Sequence, residues 1–150
     1  MNVAIRHIAL FVPDLRAAEA YYQPLFEMHL IGREAQLGDG LWYTLPFDKG
    51  WEEAEAAGIE LGMLALRKGA FALALVKGEV PPGQVYAIGL SLPEAEIAGV
   101  RARLPPDTEM VEANPGSLAF RDPYCITWQL SVPGNEFRTA GDLGQRWIDP

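Results

Sequence analysis

The chain has 150 residues, enough for one compact domain or two half-sized modules sharing a core. Hydrophobic residues make up 49% and charged residues 21%, which excludes a disordered or collagen-like chain. Twenty acidic against twelve basic side chains leave a formal charge of −8, so phosphate backbones and anionic membranes are poor partners and cationic or neutral ligands are favoured. Cys125 is the single cysteine, which rules out an intrachain disulfide and a cysteine pair for zinc. It follows a turn without an adjacent base and reads as unreactive. The N-terminal stretch lacks the pattern of a secretory signal, and no apolar run approaches the roughly 20 residues a bilayer span needs. The expected setting is cytoplasmic.

In chain order, Val3–Val12 predicts a strand stopped by Pro13, with Asp14 as the N-cap of a helix. Leu15, Ala18, Tyr22 and Leu25 recur on one face of that helix, and Pro24 limits its length. Met28–Arg33 predicts a short strand. Trp42 and Tyr43 are strand-like, 45–50 reads as loop, and Trp51–Ala57 as a short acidic helix. Gly62–Leu66 and Phe71–Val76 alternate around Arg67-Lys68-Gly69, which predicts a hairpin. Residues 77–83, with Pro81, Pro82 and Gly83, form the best linker. Beyond it come a strand at Val85–Leu92, a helix marked by Ile97, Val100 and Leu104, and strands at Met110–Glu112, Ser117–Arg121 and Ile126–Ser131. The order β-α-β-β-β therefore occurs twice. The fold class expected is α+β: two tandem βαβββ modules forming a curved mixed sheet with helices on its convex face. The modules are 1–80, with an inserted loop at 41–60, and 81–131; a tail, 132–150, carries Trp147, and all three make one structural domain.

RHIALFVPDLRAAEAYYQPLF resembles the opening of the vicinal oxygen chelate superfamily, which includes glyoxalases, bleomycin resistance proteins and extradiol dioxygenases. ELGMLALRKGAFALAL resembles the hairpin that closes its first module, and FRDPYCITWQL its closing segment. The resemblance covers about residues 3–131. It implies a metal held by one residue on the first and fourth strands of each module, typically His or Glu. Those positions fall here on His7, Ala74, Ala87 and Gln129. Only the imidazole is a competent ligand, so the resemblance implies no metal and no cofactor in this chain and leans away from an enzyme. Tyr124 and Cys125 also replace the usual residues after Asp122-Pro123.

Strand alternation then sorts the side chains. With His7 on the concave face, Leu10, Val12, Leu73 and Leu75 face the helices, as do Ile88, Leu90, Leu92, Trp128 and Leu130. Ala70, Ala72, Ala74, Ala87, Gly89, Ser91, Thr127, Gln129 and Ser131 are left on the concave side. Small side chains across a curved sheet leave room for a ligand. The expected pocket comprises His7, Trp42, Tyr43, Ala72, Ala74, Ala87, Gly89, Arg121, Thr127 and Gln129, and His7 is the best catalytic candidate. Each residue has a plainer reading: His7 as a hydrogen-bonded strand histidine, Gln129 satisfying a backbone group, Trp42, Tyr43 and Trp51 as core or interface aromatics, Arg121 paired with an acid. The acids Glu52, Glu53 and Glu55 attract a cation or form a solvated helix face. The function expected is metal-free binding of a small, cationic organic ligand by a homodimer. The alternatives are a lyase, isomerase or dioxygenase of the same superfamily using His7 and Gln129, and a regulatory module whose concave face is filled by a partner or by the tail.

Overall fold

The computed structural model describes residues 3–25, 28–79, 85–121, 126–134 and 137–150. The elements, in chain order, are β1 (Ala4–Val12), α1 (Leu15–Leu25), β2 (His29–Gln36), β3 (Trp42–Thr44), α2 (Trp51–Ala56), β4 (Met63–Lys68) and β5 (Phe71–Lys77). They are followed by β6 (Val85–Ser91), α3 (Glu94–Arg103), β7 (Glu109–Asn114), β8 (Ser117–Arg121), β9 (Thr127–Ser131) and α4 (Ala140–Gly144). The class is α+β, as the sequence leads one to expect. The chain forms two compact units: Met1–Ala9 with Val85–Phe137, and Leu10–Gln84 with Arg138–Pro150. β1 is thus divided between them. Pro81, Pro82 and Gly83 of the expected linker, and the loop Asp122–Cys125, lie outside the described residues.

In the first unit the strand order is β1-β6-β9-β8-β7. β6 and β9 run parallel, while β9, β8 and β7 are antiparallel neighbours. Ile97 of α3 packs with Leu92, Leu118 and Leu130, flanked by Leu90, Val100, Leu104 and Phe120. Alternation sends the intervening residues of each strand to the other face. There Ala87 lies opposite Thr127, Gly89 opposite Gln129, and Ala119 opposite Gln129 from the far side. β7 is longer than the sequence reading had it, and every one of its residues is exposed. It is an edge strand, held on one side by β8, so no buried alternation marks its ends.

The second unit has the order β3-β2-β4-β5-β1. Asp14 caps α1, its Oδ1 accepting from the Ala17 N–H at 3.0 Å. Leu15 of α1 packs with Val12, Met28, Leu64, Leu66, Leu73 and Leu75. β4 and β5 pair up to Lys68 and Phe71, leaving the two-residue loop Gly69-Ala70, where Gly69 takes φ +60°. β2 continues past Arg33, because Ala35 and Gln36 pair with Tyr43 and Trp42 of β3. The C-terminal segment belongs to this unit. The Thr44 N–H donates to the Arg146 carbonyl at 2.7 Å and the Thr44 carbonyl accepts from the Ile148 N–H at 2.6 Å, so the segment continues the sheet beside β3. Ile148 enters a core with Ala35, Leu45, Ala54 and Leu61. Trp147 lies on Gly141, where a Cβ would stand 2.7 Å from the indole. Among the described residues no helix is long and apolar enough to cross a membrane.

Candidate functional site

His7 is the centre of the first unit. Its strand neighbours β6, and Gly89 sits where a side chain would block it: a Cβ there would lie 2.1 Å from His7 Nδ1 and 2.3 Å from Cε1. The imidazole therefore lies flat across Gly89 and reaches the next strand, where its Nε2–H donates to Gln129 Oε1. Phe137 covers the ring at a centroid distance of 4.9 Å and a tilt of 54°. The result is a buried histidine, 1% exposed, in its neutral Nε2–H form. Burial, with the nearby Arg6 charge adding to it and the Gln129 bond opposing, lowers its pKa from 6.5 to about 4. Nδ1 is buried and has no hydrogen-bond partner among the described residues.

The expected pocket residues divide between the two units. His7, Ala87, Gly89, Arg121, Thr127 and Gln129 belong to the first; Trp42, Tyr43, Ala72 and Ala74 belong to the second. The small side chains expected to leave volume are covered: Ala87 is 1% exposed, Ala72 1%, Ala74 2% and Thr127 4%. At Gly89 the space is taken by His7 itself. Arg121 lies beside Glu109 across the β7–β8 pair, with Nε 4.0 Å from the carboxylate. Tyr43 donates its hydroxyl to Asp39 at 2.5 Å, and the Trp42 ring stands over Gly62, 3.2 Å from where a Cβ would be.

Two buried polar clusters in the second unit escaped the sequence reading. Glu19, 6% exposed on α1, accepts from Arg33 Nε at 2.9 Å and from a second guanidinium nitrogen, and also from the Trp51 indole N–H at 2.9 Å. Arg33 lies 5.3 Å from the centroid of the same indole. Glu34, 3% exposed, accepts from the Ala140 N–H at 2.5 Å and from the Thr44 hydroxyl at 3.2 Å, and that hydroxyl accepts from the Gly141 N–H at 2.6 Å. Burial raises the Glu34 pKa against the pull of these donors. An acid in an apolar strand or on the apolar side of a helix is the available signal, because a buried charge requires partners.

The resemblance in sequence implies a divalent metal, and the residues do not fit one. The Nε2 of His7 carries a proton toward Gln129, Nδ1 abuts Gly89, and Ala87 and Ala74 have no donor atoms. Among the described residues no group of three His, Cys, Asp or Glu side chains converges. A divalent ion needs several converging O, N or S donors.

No protein-family model matches the chain, and no curated protein matches it in sequence. Solved structures do. A hypothetical protein from Bacillus halodurans C-125 is similar at 12% identity and TM-score 0.52, over 93% of this chain and 100% of that one. A mutant of 4-hydroxymandelate synthase from Streptomyces coelicolor is similar at 12% identity and TM-score 0.53, over 93% of this chain and 52% of that one, so this chain spans about half its length. Methylmalonyl-CoA epimerase from Mycobacterium tuberculosis has 20% identity and TM-score 0.44, each chain covered to 87%. The fold is that of the vicinal oxygen chelate proteins, a superfamily whose members include varied enzymes.

Proposed function

We propose that this chain is a metal-independent small-molecule-binding protein built on the vicinal oxygen chelate fold. The observation that carries the reading is the His7–Gln129 hydrogen bond. Two of the four positions that the fold devotes to metal ligands satisfy each other here, and the other two are alanines. With Oε1 committed to His7, the Gln129 amide is held in one orientation, and its NH2 is left as a fixed donor on a half-buried side chain. The ligand is assigned to the first unit, where Gln129 and Arg121 are half-buried beside the covered Ala87, Gly89 and Thr127. The ligand is an organic molecule bearing a hydrogen-bond acceptor, and the −8 charge favours one that is cationic overall. A homodimer and a cytoplasmic setting complete the reading.

The test has two parts. Protein loaded with Zn(II), Ni(II), Mn(II) or Fe(II) and dialysed should retain well under one ion per chain; one tightly held ion per chain refutes metal independence. A panel of cationic and neutral organic molecules should then include some that raise the melting temperature of the intact chain and bind more weakly to Gln129→Ala. The alternative is a lyase or isomerase that uses His7 and Gln129. In that case His7→Ala abolishes turnover while leaving binding in place.

A further inference from the structure

The helix side of the second unit holds a cavity of about 490 Å³ that shares no residue with the His7–Gln129 pair. Its floor is apolar: Leu15, Ala54 and Leu61 are buried, and Trp51 and Ile59 are half-buried. Its rim is charged. Arg16 is neutralised by Glu52, and Lys77 by Glu60 at 2.5 Å. Asp14 and Glu55 complete the rim, and the Glu55 carboxylate makes no hydrogen bond or ion pair among the described residues. Three carboxylates and two cations line the opening; with Arg16 paired to Glu52 just outside it and Lys77 to Glu60, the charges of Asp14 and Glu55 are left over.

Trp51 is the feature that turns this hollow into a prepared surface. Its indole N–H is fixed by Glu19, and Arg33, doubly bonded to the same carboxylate, lies against the ring. A buried ion pair is a weak source of stability because desolvation consumes most of its Coulomb energy. This one holds an aromatic wall in a single orientation, which lowers the ordering cost of anything that packs on it.

We propose that the cavity is a binding site for a small organic cation with an apolar body about the size of one aromatic ring. The body lies on Trp51, Ile59 and Leu61, and the cationic group faces Glu55 and Asp14. A neutral ligand would use the floor and leave the excess charge unanswered. An anion would meet that charge directly.

The probes are benzyltrimethylammonium, benzyl alcohol and phenylacetate, titrated into the intact chain at low salt and followed by amide and indole N–H chemical shifts. The cation should give saturable shifts centred on residues 13–16, 51–61 and 77. It should bind several-fold more tightly than the alcohol, and phenylacetate should not saturate. Glu55→Gln, an exposed change on α2, should weaken the cation about threefold, the scale of a solvated charge pair, and added salt should do the same. The proposal is overturned by the absence of saturable shifts, by equal binding of alcohol or anion, or by shifts that centre on His7, Gln129 and their neighbours. That last outcome would leave the proposed function standing while removing this site.

Discussion

Gly89→Ala is the sharpest perturbation of the first unit. The new methyl would lie 2.1 Å from His7 Nδ1 and 2.3 Å from Cε1, against an ordinary contact of about 3.5 Å. The imidazole must retreat by more than 1 Å or rotate away, and either movement breaks its bond to Gln129. Overpacking costs about 1–3 kcal/mol, and leaving a buried donor and acceptor unpaired costs a further 1–3 kcal/mol. Replacing a strand glycine by alanine returns about 0.5–1 kcal/mol. The net loss is about 1–5 kcal/mol. In a His7→Ala background the obstructing ring is gone, and the same Gly89→Ala change should cost nothing or stabilise slightly. Urea unfolding of wild type, both single variants and the double variant closes the cycle, with a constant slope against denaturant as the check on comparability. A coupling energy of about 2–6 kcal/mol is expected, the overpacking and unpairing costs that vanish without the imidazole. The reasoning is refuted by a Gly89→Ala variant as stable as wild type, or by one equally destabilised with and without the imidazole.

Three buried polar groups, His7, Glu34 and Glu19, carry the remaining predictions. His7 has a folded pKa of about 4 against an ordinary 6.5, so between these values the unfolded chain binds more protons and stability rises with pH. The contribution is complete above pH 6.5, is lost as pH falls toward 4, and amounts to about 3 kcal/mol at 1.36 kcal/mol per pKa unit. His7→Gln should flatten that slope, and nitrogen shifts of His7 at pH 6 should report a neutral ring protonated at Nε2. Glu34 has the opposite sign: its pKa is raised by burial, so from pH 4.5 upward the folded state binds the proton more readily and stability falls as pH rises. Glu34→Gln should therefore gain on wild type between pH 4.5 and 7 in denaturant titrations, and parallel curves would contradict this. Glu34→Ala, which strands the Ala140 N–H and the Thr44 hydroxyl, should cost about 1–3 kcal/mol. Glu19→Ala should cost about 1–3 kcal/mol by leaving the half-buried Arg33 guanidinium and the Trp51 indole without their acceptor. It should also change the emission of Trp51, which loses its indole hydrogen bond; unchanged emission would show that the indole is not held there.

The elements were legible in the sequence because they rest on local rules. Asp14 after Pro13 marks a helix start, Gly69 marks a hairpin turn that the sequence places at Arg67-Lys68-Gly69 and the structure tightens to Gly69-Ala70, and Leu64, Leu66, Leu73 and Leu75 mark one face of the hairpin. The repeated βαβββ order carried the fold class, and alternation placed Leu90 and Leu130 against α3. Mapping the chelate positions singled out His7 and Gln129 as a pair. It could not say that the imidazole would fill the room that Gly89 leaves, since that depends on two strands becoming neighbours through residues about 80 apart. The same holds for Glu34 with Ala140 and for Glu19 with Trp51. Periodicity reports which face a residue occupies, and short-range chemistry reports where a helix or turn begins. A partner far along the chain is chosen only when desolvation makes an unpaired charge or amide costly, and that cost exists only once the tertiary structure has excluded water.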